Sequence, residues 1–295
     1  MAILVVLVLF KVYNLFRPLV ILVPKEVVSI LMKYLYPIAG LLIITIILRK
    51  SWLHYFYHEE GPFNYYLYFY ELIVNALLIF IAIRFINRLE RIPDYLTKNI
   101  LQIEQKRYLI LPLLLLVFGW LVNSRDFGTY HGGQLVLFFI ICISVGLSEE
   151  LIFRGFIFTQ VLHKKTLLPA TAISSVLFAG LHLLSLFTKS PSLPDGILLL
   201  GFTFSMGVFL TASMIFFRNI GVAGLMHGLF NFIFGLSSIR TYLPPVYPPA
   251  PEPAELAGDP NAVLTFLFNV LLFGFLAWIG FFLLKGRTIL WRPNP

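Results

Sequence analysis

Apolar residues fill long blocks of this chain, and short polar or basic clusters separate the blocks. A helix needs ~20 such residues to cross the ~30 Å hydrocarbon core of a bilayer. Eight stretches are candidates: 27–48, 63–87, 108–122, 134–162, 167–187, 196–217, 220–239 and 261–284. Residues 2–23 are nearly as apolar, but Lys11, Asn14 and Arg17 interrupt them. They read as a tilted or interfacial helix, with a further span as the lesser option. A signal peptide fits poorly, because the apolar run starts without a basic region and no small-residue cleavage site follows.

Of the 295 residues, 59% are apolar and only 12% charged, which excludes a soluble globular protein. The pattern predicts an all-α polytopic membrane protein of about eight transmembrane helices, integral and multi-pass. Basic residues orient it. Arg88, Arg91, Lys98, Lys106 and Arg107 crowd the 88–107 connection, which places it in the cytoplasm. By alternation Lys164, Lys165, Arg218 and the C-terminal tail with Lys285, Arg287 and Arg292 then lie on the same side. Arg49 and Lys50 fall on the opposite side, against the trend. The cell membrane is the expected location. The net charge of +8 reads as topology and contact with anionic lipid, with no nucleic-acid partner.

Four regions follow. Residues 1–26 form the interfacial or extra helix, and 27–133 the first three spans with their cytoplasmic connection. Residues 134–239 form the core that carries the chemistry. Residues 240–295 hold a Pro-rich outer loop (PPVYPPAPEPAE), the last span and the tail. Within 88–107, IPDYLTKNILQIEQ has the composition of a short amphipathic surface helix. Cys142 is the single cysteine, so no intrachain disulfide can form, and it reads as packing.

The chemistry begins with SEELIFR in the fourth span. A charge at mid-bilayer costs ~2.5–3.5 kcal/mol on insertion scales, so Glu149, Glu150 and Arg154 require partners or water. Glu150 and Arg154 are four apart, on one helix face, and form an expected structural ion pair. Glu149 points ~100° away and lacks that partner. Taken alone, both acids also fit an inter-helix salt-bridge network. Two more spans bring further polar groups: His182, four residues after Phe178 in LFAGLHLL, and His227 and Asn231 in GLMHGLFNF. Gly180, Gly224 and Gly228 beside them permit close helix approach. A peptide hydrolase needs a base, a group that orients water and donors facing the oxyanion. Glu149 and His182 suit the first two tasks, and His227 and Asn231 the third. Glu149, His182 and His227 also suit a divalent metal such as zinc, with Asn231 as a weak ligand or a partner of the ligands. No cofactor is assigned.

These motifs resemble those of the CPBP intramembrane protease family, also called the Abi or CAAX-protease family, which includes the type II CAAX prenyl endopeptidases. EELIFR (Glu149–Arg154) matches its EExxxR, FAGLH (Phe178–His182) its FxxxH, and HGLFN (His227–Asn231) its HxxxN. The three stand in family order, each in a predicted span. The resemblance implies an eight-helix core with a polar intramembrane catalytic cavity. It implies that Glu149 activates water with help from His182, that His227 and Asn231 stabilise the oxyanion, and that Glu150 and Arg154 are structural. It implies a peptidase, glutamate-dependent or metallo-type, acting on a membrane-associated protein or a lipidated peptide.

Other readings stay open. A transporter also carries mid-membrane charges, but here they cluster in the second half with no repeat in the first. A non-catalytic scaffold would tolerate change at Glu149. His54, His58, Glu59 and Glu60 in HYFYHEE read as part of an interfacial aromatic belt, and Glu71 and Asn75 as support for the site at most. One mismatch concerns depth. Counted from the cytoplasmic helix ends, Glu149 and His182 lie about 14 residues in, roughly 21 Å, and His227 only about 7. Either the fourth span projects into the cytoplasm or the seventh begins earlier.

Overall fold

The computed structural model describes residues 65–89, 92–97, 130, 132–189, 193–234 and 262–285, with single positions at 110, 114, 117 and 121. All regular structure among them is helical. The helices are α1 (Tyr65–Ile86), the four-residue α2 (Asp94–Thr97), α3 (Gly132–Leu162), α4 (Leu167–Lys189), α5 (Leu193–Phe217), α6 (Ile220–Phe234) and α7 (Ala262–Lys285). Within α3 an eight-residue π-helical stretch, Leu151–Phe158, follows the acid pair directly. The expected helix at 1–26, the span 27–48, HYFYHEE, the Pro-rich loop and the tail lie outside the described residues.

Three described helices are long and apolar enough to cross a membrane: Phe69–Ile86, Gly132–Leu162 and Gly196–Phe217. Leu167–His182, Ile220–Phe234 and Gly274–Leu284 are shorter apolar helices. The described residues thus give an all-helical integral membrane protein with three candidate full spans among them. Exposed apolar side chains recur on the outer faces. On α1 they are Phe69, Ile73, Leu77 and Phe80, and on α7 Leu271, Phe275, Trp278 and Phe282. In water such stripes would be a liability, whereas against lipid tails they are the expected solvent-facing surface.

α3 and α6 pack backbone against backbone. A Cβ on Gly146 would stand 2.5 Å from the Gly228 nitrogen and 2.6 Å from the Gly224 carbonyl oxygen. One on Gly228 would meet the Ile143 Cα at 2.7 Å, and one on Gly224 the Leu147 Cδ2 at 2.6 Å. Lipid tails are as apolar as leucine, so helices in a membrane associate through close packing, which small residues permit. The pairing of Ile143 with Gly228 and Leu147 with Gly224 also shows the two helices running antiparallel. Gly228→Ala is therefore expected to lower the detergent melting temperature, by about 1–3 kcal/mol of overpacking. Thermal denaturation of the purified variant is the check.

That register resolves the depth mismatch. α6 starts at Ile220, while α3 continues unbroken to Leu162 and reaches 31 residues, about 46 Å. The last turns of α3 extend past the start of α6, so Glu149 and His227 sit at one level. A tight turn sets that start. Arg218 adopts φ 50°, its N–H donates to the Ile215 carbonyl, and the Asn219 N–H donates to that of Met214. This is the Schellman closure of α5. The Asn219 side chain then accepts from the Val222 N–H at 3.1 Å and caps α6.

Candidate active site

The acid pair is split by its surroundings. Glu150 and Arg154 have fully buried side chains, with Oε1 and Nη1 2.8 Å apart. The guanidinium also donates from Nη2 to the Gly207 carbonyl at 3.1 Å and lies 3.4 Å through Nε from Thr211 Oγ1. Its plane sits over the Phe178 ring, 4.4 Å from the centroid, a desolvated cation–π contact. Charge and donors are thus satisfied from α3, α4 and α5 together. Glu149 keeps 22% of its side chain exposed. Of the two acids, Glu149 is the one a reactant can reach.

His227, from α6, stands between the two acids. Its Nδ1 is 3.0 Å from Glu150 Oε1, and its Nε2 is 3.8 Å from Glu149 Oε2. A carboxylate only accepts, so Nδ1 carries a proton and the ring's orientation is set by Glu150. The second nitrogen faces Glu149 across a gap too long for a hydrogen bond. Among the described residues neither Glu149 Oε2 nor Glu150 Oε2 has a hydrogen-bond partner, although both atoms are buried.

Phe178 joins the two histidines. Its ring centroid is 4.7 Å from that of His182 and 5.5 Å, edge-on, from that of His227. His182 Nδ1 lies 3.0 Å from the Phe178 carbonyl, so that nitrogen is the donor and Nε2 is the bare one in the neutral ring. Asn231 follows His227 by one turn on α6 and is partly buried. The fold therefore gathers Glu149, Glu150, Arg154, Phe178, His182 and His227, from three helices, around one aromatic ring. Asn231 extends this group along α6.

Supporting contacts hold the acids from behind. The Ser148 hydroxyl is 2.9 Å from both Asn75 Oδ1 and the Val145 carbonyl, and the Asn75 amide donates to the Glu71 carbonyl at 2.9 Å. Asn75 thus fixes the residue next to Glu149. In the π-helical stretch the Ser174 hydroxyl donates to the Phe153 carbonyl at 2.9 Å, and that of Thr159 to the Arg154 carbonyl at 3.2 Å. Side chains thereby take over carbonyls in a segment where the regular ladder has been stretched. Pattern reading assigns no role to Phe178, Ser174 or Thr159. The FxxxH spacing was the one available sign of the first.

Among the described residues no three His, Cys, Asp or Glu side chains are placed to hold one ion. Glu150 Oε1 and His227 Nδ1 are committed to each other, and both imidazoles pack on Phe178.

The carboxylates and imidazoles thus form one cluster among apolar helices. The family model described as "Type II CAAX prenyl endopeptidase Rce1-like" matches residues 131–233, which include every residue of the three motifs. The resemblance drawn from those motifs is thereby borne out over residues 131–233, which are similar to the CAAX-protease (CPBP) family. No curated protein and no solved structure matches the chain.

Proposed function

We propose that the chain is an intramembrane endopeptidase that cuts a peptide bond near the end of a membrane-associated, prenylated protein. The observation that carries this reading is the asymmetry of the acid pair. Glu150 is fully buried and held by Arg154 and His227, while Glu149 is partly exposed and turns a carboxylate oxygen without a hydrogen bond toward the other nitrogen of the same histidine, 3.8 Å away.

Glu149 takes a proton from water, and His182 orients that water through its ring. The resulting hydroxide adds to the scissile carbonyl carbon. The oxygen of the tetrahedral adduct takes the negative charge. His227 in its doubly protonated form keeps Nδ1–H on Glu150 and offers Nε2–H to that oxygen, and the Asn231 amide is a second donor. Collapse breaks the C–N bond, and the proton held by Glu149 passes to the departing amine. Residues 1–26, 27–133 and 240–295 would frame the 134–239 core in the bilayer, and the basic loops support a cytoplasmic C-terminus.

The test uses the purified protein in liposomes with a farnesylated peptide and its unprenylated twin. Mass spectrometry should show loss of the C-terminal three residues from the prenylated peptide alone. Intact peptide, with protein that is folded by thermal melting, would sink the reading. Asn231→Ala is expected to lower kcat by ~10²–10³ and leave KM nearly unchanged, since an oxyanion donor acts in the transition state. Added zinc should not rescue it. Elemental analysis supplies the counter-case: stoichiometric metal in the active protein, lost with activity in His227→Ala, would overturn the metal-free mechanism.

A further inference from the structure

Among the described residues of the 88–107 connection, Tyr95 reaches the helix that carries the acid pair. Tyr95, in α2, is buried, and its hydroxyl lies 2.6 Å from Thr159 Oγ1. Its ring tilts against Phe158 at 6.4 Å between centroids. The single proton of the Thr159 hydroxyl goes to the Arg154 carbonyl at 3.2 Å, so Tyr95 is the donor in the shorter bond. Burial holds the phenol well above its ordinary value, which keeps it a neutral O–H donor.

The same surface of α3 is shaped to receive the connection. A Cβ on Gly155 would lie 2.8 Å from Ile86 Cδ1 and 3.5 Å from Leu96 Cδ2, so the glycine leaves room for the end of α1 and for α2. Both contacts fall on the π-helical stretch or its immediate end. The stretch begins next to Glu150 and contains Arg154, whose guanidinium holds Glu150, which in turn orients His227. Thr159 bonds the Arg154 carbonyl five residues back, across the wide turn.

We infer that Tyr95 is a positioning residue for the acid pair: docked on Thr159, it fixes the wide turn of α3 and, through Arg154, the Glu150–His227 alignment. The catalytic consequence rests on the function proposed above, whereas the hold on the turn does not. The cytoplasmic connection is then a working part of the protease rather than a tether between spans.

The experiment compares full-length wild type, Tyr95→Phe, Thr159→Val, the double variant and Thr159→Ser. Amide hydrogen exchange is read over 149–158 and over α5 and α6, beside kcat, KM and melting temperature. Tyr95→Phe keeps the ring and removes one buried hydrogen bond. It should raise exchange over 149–158 roughly three- to tenfold, with α5 and α6 unchanged. In the same variant kcat should fall by a similar factor, KM should hold, and the melting temperature should barely move. Thr159→Val should do the same, the double variant no more than either single, and Thr159→Ser should behave as wild type. Unchanged exchange over 149–158 overturns the inference, as does exchange that rises evenly along all helices with a lower melting temperature. Local loosening with kcat intact in an active protein overturns the positioning role. A wild type that cleaves no peptide would remove the proposed function, while the exchange comparison would still decide whether Tyr95 holds the turn.

Discussion

Glu149→Gln is expected to abolish peptide cleavage while the protein folds and melts as before. The amide keeps the shape of the carboxylate and cannot take a proton from water. Loss of a general base lowers rate by ~10²–10⁴. Stability should hold because Glu149 Oε2 has no hydrogen-bond partner among the described residues and the side chain is partly exposed. The check is single-turnover cleavage of the farnesylated peptide beside a thermal melt. Full activity in the Gln variant would end the proposed role. A collapse in melting temperature would show that Glu149 belongs to the structural network instead.

Arg154→Ala is expected to do the opposite, destabilising first and inactivating as a consequence. The guanidinium is fully buried and holds Glu150, the Gly207 carbonyl and the face of Phe178. Its removal strands the Glu150 carboxylate without its cation, a loss of about 3–5 kcal/mol for a buried pair broken from one side. Glu150→Ala should fall in the same range, since it strands the arginine. Detergent melting curves of the three variants separate the cases. If Glu149→Gln, Glu150→Ala and Arg154→Ala all melt alike, the division between the two acids is wrong.

The outline of this site was legible in the sequence because charge in an apolar helix is conspicuous and the spacing of helix faces is fixed. Glu149, Glu150, Arg154, His182, His227 and Asn231 could each be named, and Gly224 and Gly228 read as close-approach residues. Three things were hidden. The π-helical stretch has no compositional mark, since LIFRGFIF would suit a regular helix equally well. The bond from His227 to Glu150 depends on the register between α3 and α6, which side-chain spacing within one helix cannot give. Tyr95 lies in a connection that reads as a surface segment, and only the fold brings its hydroxyl to Thr159.

The glycine seam between α3 and α6 has a consequence for how such an enzyme can diversify. Carboxylate and imidazole are carried by two backbones in direct contact, with no layer of side chains between them to repack. Drift at Gly146, Gly224 or Gly228 is therefore closed off, because the smallest addition displaces main chain rather than a rotamer. Substrate preference has to be tuned from the helices that touch the site through side chains alone, above all α1, α4 and α5. A saturation library selected for cleavage of altered peptides should accordingly gather its accepted substitutions on those three helices and leave the seam blank.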